Sequence, residues 1–223
     1  MREHQLSVPR TARYFAVGDP AGAGQVWFAC HGYAQLAARF LEKLRVLEDA
    51  RRYLVAPEGL SRFYLTESPA ERRVGASWMT REDRLNEIAD YVRYLDAVYD
   101  DVFARVDRAR VSVYALGFSQ GTATVSRWTA LGKAKVDRLV LWGGELPPDL
   151  DLSVEPGAGR MRAARLTLVY GRSDQYITAK VVTETRERLR RHGIPFTERA
   201  FDGGHELLEG VLRELGADLG PSR

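Results

Sequence analysis

The sequence predicts an α/β fold, a mostly parallel central sheet with helices on both faces and no large lid. The first observation is alternation. Strand-like runs near 12–17, 25–30, 53–57, 110–116, 138–142, 165–170 and 196–201 alternate with helical patterns at about 34–49, 82–106, 120–132, 176–192 and 205–216. That order builds parallel strands joined by helical crossovers. The second is size: the 223 residues carry no internal repeat or low-complexity linker, which fits a single domain over 1–223 with a substantial core.

The elements follow in chain order. Gln25-Val26-Trp27-Phe28-Ala29-Cys30 is an apolar run that reads as an early central strand. The 82–106 helix places Leu85, Ile88, Tyr91, Val92, Leu95, Val98, Tyr99 and Val102 at core spacing, so its aromatic rings are explained by packing. Val111-Ser112-Val113-Tyr114-Ala115-Leu116 alternates and is rich enough in β-branched residues to be a strand. Thr122 to Leu131 then brings small and apolar residues at helical spacing. Leu166-Thr167-Leu168-Val169-Tyr170-Gly171 reads as the strand before last. The next helix stops at Arg190-Arg191-His192-Gly193-Ile194-Pro195, with cations in its last turn and glycine just past it. A last strand ends near Phe201 and a last helix follows, with Glu206 expected in its first turn.

Composition narrows the function. Apolar content of 45% and charged content of 28% are those of an ordinary soluble protein. The net charge of +3 carries no basic run beyond short arginine pairs, which argues against nucleic-acid partners and stable membrane insertion. One cysteine excludes an internal disulfide, and Cys30, ending a strand, reads as a small core hydrophobe. The first ten residues lack an apolar signal core and no stretch is long enough to span a bilayer, so the expected location is the cytoplasm.

The chemistry concentrates at Gly117-Phe118-Ser119-Gln120-Gly121, between a strand and a helix. A strand turning sharply into a helix at G-x-S-x-G exposes the serine Oγ above the sheet. A serine hydroxyl needs a base to take its proton and an acid to orient that base. In α/β-hydrolases the chain order is serine, acid, histidine. Of the two histidines after Ser119, His192 belongs to the helix stop, whereas His205 sits in Phe201-Asp202-Gly203-Gly204-His205, where two glycines free the backbone to present the ring. His205 is therefore the expected base. Asp174, just past the strand before last, is the expected acid; its competing role is a helix N-cap. Asp202 is a rival acid, but three residues from His205 on one loop it reaches the ring Nδ1 with difficulty. The oxyanion needs two preorganised N–H donors. Gln120 N–H, opening the helix, and Tyr33 N–H, after the first central strand, are the candidates. His31 is read as bracing that loop.

These pieces together resemble the phospholipase/carboxylesterase family of α/β-hydrolases, which includes acyl-protein thioesterase-like enzymes. The resemblance runs over nearly the whole chain, through His31-Gly32, Ala56-Pro57, Trp78, Gly117 to Gly121, Gly171-x-x-Asp174 and Gly204-His205. The elbow is the sharpest match, since family members often read G-F-S-Q-G. Two departures line the site: the family's early loop usually reads H-G-x-G-D where Ala34-Gln35 stand here, and Gly143-Gly144-Glu145 replaces a serine-glycine turn. The resemblance implies a serine hydrolase acting on a small-molecule ester or thioester of short to medium acyl chain. It needs no cofactor and no metal, and a homodimer is compatible with it. Residues 58–81 and 143–163 reach the carboxyl end of the sheet and carry apolar side chains. They are expected either to wall an acyl groove, through Leu65, Trp78 and Met79, or to cap the core. Two other readings stay open: a peptidase or amidase using the same triad, and a non-catalytic binding protein that kept the fold.

Overall fold

A computed structural model describes residues 1–66, 68 and 72–217. Seven strands form the main sheet: β1 (Tyr14–Val17), β2 (Gln25–Cys30), β3 (Arg52–Pro57), β6 (Ser112–Phe118), β7 (Arg138–Trp142), β8 (Arg165–Gly171) and β9 (Phe196–Phe201). Their order is β1-β3-β2-β6-β7-β8-β9, with β1 antiparallel to β3 and every other neighbour pair parallel. The expected fold class is the one observed. A separate hairpin, β4 (Ser61–Tyr64) with β5 (Val74–Ser77), lies inside the 58–81 connection.

The helices are α1 (Ala37–Leu44), α2 (Arg84–Phe103), α3 (Gln120–Leu131), α4 (Gly157–Ala163), α5 (Ala179–Arg191) and α6 (Glu209–Ala217). Alternate strand residues feed two cores. Val26, Phe28, Cys30, Val113, Leu139 and Leu166 face α2, α3 and α5. Trp27, Ala29, Tyr114, Leu116 and Val140 face α1 and α6. The period of two along a strand thus divides the apolar residues between both faces.

The chain crosses from one side of β2 to the other on passing from β3 to β6, which makes the β2/β6 boundary the point where strand order reverses. Ligand crevices in open α/β sheets form outside the carboxyl ends of strands at such a point. Cys30 pairs in register with Gly117, so the residues just past both strands meet there.

Three boundary differences from expectation bear on the site. Strand β6 runs on to Phe118, placing Gly117 and Phe118 of the glycine-serine pentapeptide inside the sheet. Helix α5 starts at Ala179, capped by the Thr178 hydroxyl, because Asp174 has already taken the N–H groups of Tyr176 and Ile177 in a local turn. Helix α6 starts at Glu209, so Glu206 lies outside it and its carboxylate accepts instead from Gly204 N–H at 3.2 Å. The 143–163 connection also contains α4. Among the described residues, no helix is long and apolar enough to cross a membrane.

Candidate active site

Ser119 occupies the one-residue junction between β6 and α3, with φ 55° and ψ −118°. A non-glycine residue with positive φ costs on the order of 1–2 kcal/mol and persists only where its surroundings hold it. Those surroundings are tight. A Cβ on Gly117 would stand 2.2 Å from Gly121 O, and one on Gly121 would stand 2.0 Å from Cys30 O. Ser119 N–H is tied to Trp142 O at 2.9 Å, fixing the elbow to the neighbouring strand. The glycines allow the close approach, and the close approach maintains the strain.

The loops after β8 and β9 carry Asp174 and His205 back over β7 toward that hydroxyl. His205 Nε2 lies 2.9 Å from Ser119 Oγ, and His205 Nδ1 lies 2.8 Å from Asp174 Oδ2. Asp174 Oδ1 accepts from Tyr176 N–H at 2.8 Å and Ile177 N–H at 3.1 Å. Both carboxylate oxygens are thus engaged. With Nδ1–H donating to the carboxylate, Nε2 is left as an acceptor for the serine proton. Asp174 is not the N-cap of α5. Asp202, its rival, is 95% exposed and pairs with Arg172 on the surface.

Packing fixes the ring as firmly as hydrogen bonding does. The His205 ring lies between Phe118, at 5.0 Å between centroids, and Tyr176, edge-on at 4.7 Å. Gly143, with φ 56°, passes beneath it: a Cβ there would stand 3.4 Å from the ring Nδ1 and 3.5 Å from Asp174 Oδ2. The first glycine of the pair that departs from the family pattern therefore lies directly against His205 and Asp174, while the second, Gly144, packs on Thr122 and the Ser119 carbonyl. Sequence reasoning missed Tyr176 and Phe118 as ring supports, and only their closeness to Asp174 and Ser119 in the chain hinted at it.

The turn after β2 approaches from the other side, where a Cβ on Gly32 would stand 3.1 Å from Ser119 Cβ. Neither Tyr33 N–H nor Gln120 N–H meets an acceptor among the described residues. His31 is fully buried; its Nδ1–H donates to Gly32 O at 2.8 Å and its Nε2 accepts from Gly59 N–H at 2.9 Å. Burial pushes the His31 pKa down, against smaller opposing effects of Gly32 O and the Glu58 charge. It braces the turn as a neutral ring.

Of the expected substrate walls, Trp78 is a correction. The residue is 2% exposed, and its ring packs on His31 and Tyr91 and donates to His31 O at 2.9 Å. It faces the core because that carbonyl and those rings lie there. Leu146, Leu150 and Leu152 of the second connection are buried core residues too. Met79 is half-buried against Arg127, and Leu65 is partly exposed. Leu65 borders a groove of about 260 Å³ with Leu36, Phe40 and Val74 beside the 34–35 turn. Cys30 is buried, and burial pushes its thiol far above the ordinary range. Among the described residues no group of histidine, cysteine, aspartate and glutamate is placed to hold a metal.

No family model and no curated protein matches this sequence. Solved structures do match its fold. A carboxylesterase from Mesorhizobium loti superposes with TM-score 0.71 at 18% identity, covering 93% of this chain and 95% of its own. Acyl-protein thioesterase 2 from Zea mays gives 0.70 at 16% identity, covering 94% and 100%. Esterase PE8 gives 0.66 at 18% identity, covering 94% and 98%. At such identities the likeness establishes an α/β-hydrolase fold.

Proposed function

We propose that this protein is a serine hydrolase cleaving carboxylic esters or thioesters of short to medium acyl chain through an acyl-enzyme. The observation that carries the proposal is the unbroken chain from Ser119 Oγ through His205 to the buried Asp174 carboxylate, with contacts of 2.9 and 2.8 Å. The esterase and thioesterase neighbours, similar in fold, support the same reading.

The steps follow from the geometry. Ser119 Oγ attacks the substrate carbonyl while His205 Nε2 takes its proton, and Asp174 holds the resulting imidazolium in place. The tetrahedral oxyanion accepts hydrogen bonds from Tyr33 N–H and Gln120 N–H, which meet no other acceptor among the described residues. His205 returns the proton to the departing alkoxide or thiolate. Water, deprotonated by the same nitrogen, then releases the acid and restores the serine. An acyl chain lies toward the groove bordered by Leu65, whose volume of about 260 Å³ suits a chain of modest length. The substrate is a small molecule and the site of action the cytoplasm.

Turnover of p-nitrophenyl butyrate by wild-type protein, lost in Ser119→Ala, is the expected result. Undiminished turnover by Ser119→Ala would end the proposal. A panel of acyl p-nitrophenyl esters against aminoacyl amides separates an esterase from a peptidase.

A further inference from the structure

The two oxyanion donors come from separate elements, and one short segment is hydrogen-bonded to Ala34 and Gln35 beside the first and to the Gln120 side chain at the second. Residues Ala76 to Met79, running out of β5, form that strap. On one side Ala34 N–H donates to Ala76 O at 2.9 Å and Ala76 N–H donates to Gln35 O at 3.1 Å, an antiparallel bridge to the residues after Tyr33. On the other side the strap receives the Gln120 side chain. Gln120 Nε2 donates to Met79 O at 2.8 Å and to Ser77 Oγ at 3.0 Å, while Gln120 Oε1 accepts from Trp78 N–H at 3.1 Å. The amide cannot be flipped: Trp78 N–H only donates and Met79 O only accepts, so oxygen and nitrogen are assigned by their partners. The Ser77 hydroxyl donates onward to Met79 O at 2.9 Å.

The turn held by the strap is itself strained. Ala34 adopts φ 63°, where the resembled family's loop has glycine, and such a conformation needs outside support. The contact leaves no slack, since a Cβ on Gly75 would stand 2.5 Å from Ala34 O. Trp78 adds another tie, its indole N–H donating to the carbonyl of His31 just ahead of the turn.

On the reading of Tyr33 and Gln120 as oxyanion donors, we infer that the Gln120 side chain is a positioning residue. Through Ser77, Trp78 and Met79 it sets the placement of its own N–H relative to that of Tyr33. Removing the side chain leaves both N–H groups and the Ser119–His205–Asp174 chain chemically intact. What it loosens is where the donors stand when charge develops. The loss must therefore fall on the transition state and not on substrate binding.

Gln120→Met keeps the volume and removes the amide. Its kcat for p-nitrophenyl butyrate should fall about 10–100-fold, part of what loss of a whole donor costs, with KM within about twofold of wild type. The inhibition constant of butaneboronic acid, which forms a tetrahedral adduct on serine, should rise by the same factor as kcat falls. Ser77→Ala, which removes one hydroxyl and no amide contact with Trp78 or Met79, should lower kcat severalfold in the same pattern and carries the test should Gln120→Met not fold. Wild-type kcat and boronate inhibition in the folded variants would overturn the inference alone. So would a rise in KM with boronate inhibition unchanged, which marks a general loss of structure. Wild-type protein with neither turnover nor boronate binding would overturn the proposed function and this inference with it.

Discussion

Asp174→Asn isolates the proposed orienting acid with little disturbance elsewhere. Oδ1 accepts two backbone N–H groups, at 2.8 and 3.1 Å, which an amide NH₂ cannot replace. The asparagine oxygen therefore stays on that side, and its NH₂ faces His205 Nδ1. Nδ1 must then accept, which moves the ring proton to Nε2, pointing at Ser119 Oγ 2.9 Å away. A ring protonated there cannot take the serine proton. The wrong tautomer in a serine-histidine-aspartate site costs about 10⁴-fold in kcat, or about 5.5 kcal/mol of barrier. Folding should barely register the change, because the two hydrogen bonds of the ring are reversed and none is lost. That is at most about 1 kcal/mol, or roughly 2–4 °C in Tm for a chain of this size. Steady-state hydrolysis of p-nitrophenyl butyrate beside thermal melts measures both. Asp202→Asn is the control and should leave the rate unchanged, since that carboxylate is 95% exposed. A folded Asp174→Asn protein within tenfold of wild-type kcat would refute the assignment of the acid.

Further predictions concern the scaffold. Gly121→Ala drives a Cβ to 2.0 Å from Cys30 O and 2.9 Å from His31 O, both backbone atoms, so α3 must shift away from β2. A stability loss of at least about 2–3 kcal/mol in urea unfolding is expected; wild-type stability would contradict the close packing. Buried Arg127 on α3 is hydrogen-bonded to Asp149 at 2.6 Å. Burial alone would raise the Asp149 pKa, but hydrogen bonds and charge from Arg127 and Arg84 outweigh it and hold the carboxyl below its usual value. Since the folded pKa is depressed, the stabilisation is present above the unfolded carboxylate pKa and is lost as pH falls through the folded one. Asp149→Asn should then cost about 1 kcal/mol at pH 7, because solvent screens the exposed carboxylate, with the gap closing below about pH 4; a gap independent of pH would refute the ion pair. Cys30, with its thiol pushed up by burial, should react with Ellman's reagent only after unfolding. Rapid labelling of the native protein would refute its burial.

The sheet was legible because each buried strand is a short apolar run and each crossover helix carries its own periodicity. Hairpin β4–β5 was not. Ser61-Arg62-Phe63-Tyr64 and Val74-Gly75-Ala76-Ser77 have little strand character alone and hold together through mutual pairing and the bridge from Gln35 to Ala76. Ser119, Asp174 and His205 could be named from local context, each lying just past a strand end. Their meeting, across separations of 86 and 31 residues, is a property of strand order. Trp78 shows the opposite failure: an aromatic in a connection near the site looked like a wall, yet the carbonyl of His31 draws its indole inward. The Gln120 side chain was invisible for a related reason, since its partners lie about 40 residues earlier in a segment that no periodicity marks.

Intact-mass measurement after treatment with a fluorophosphonate probe, with peptide mapping of the adduct, puts the account's core to the test. Wild-type protein should gain a single adduct on Ser119, Ser119→Ala should gain none, and His205→Ala should be labelled at least about 10³-fold more slowly for want of its base. No adduct on folded wild-type protein, an adduct elsewhere, or labelling of His205→Ala at the wild-type rate would contradict it.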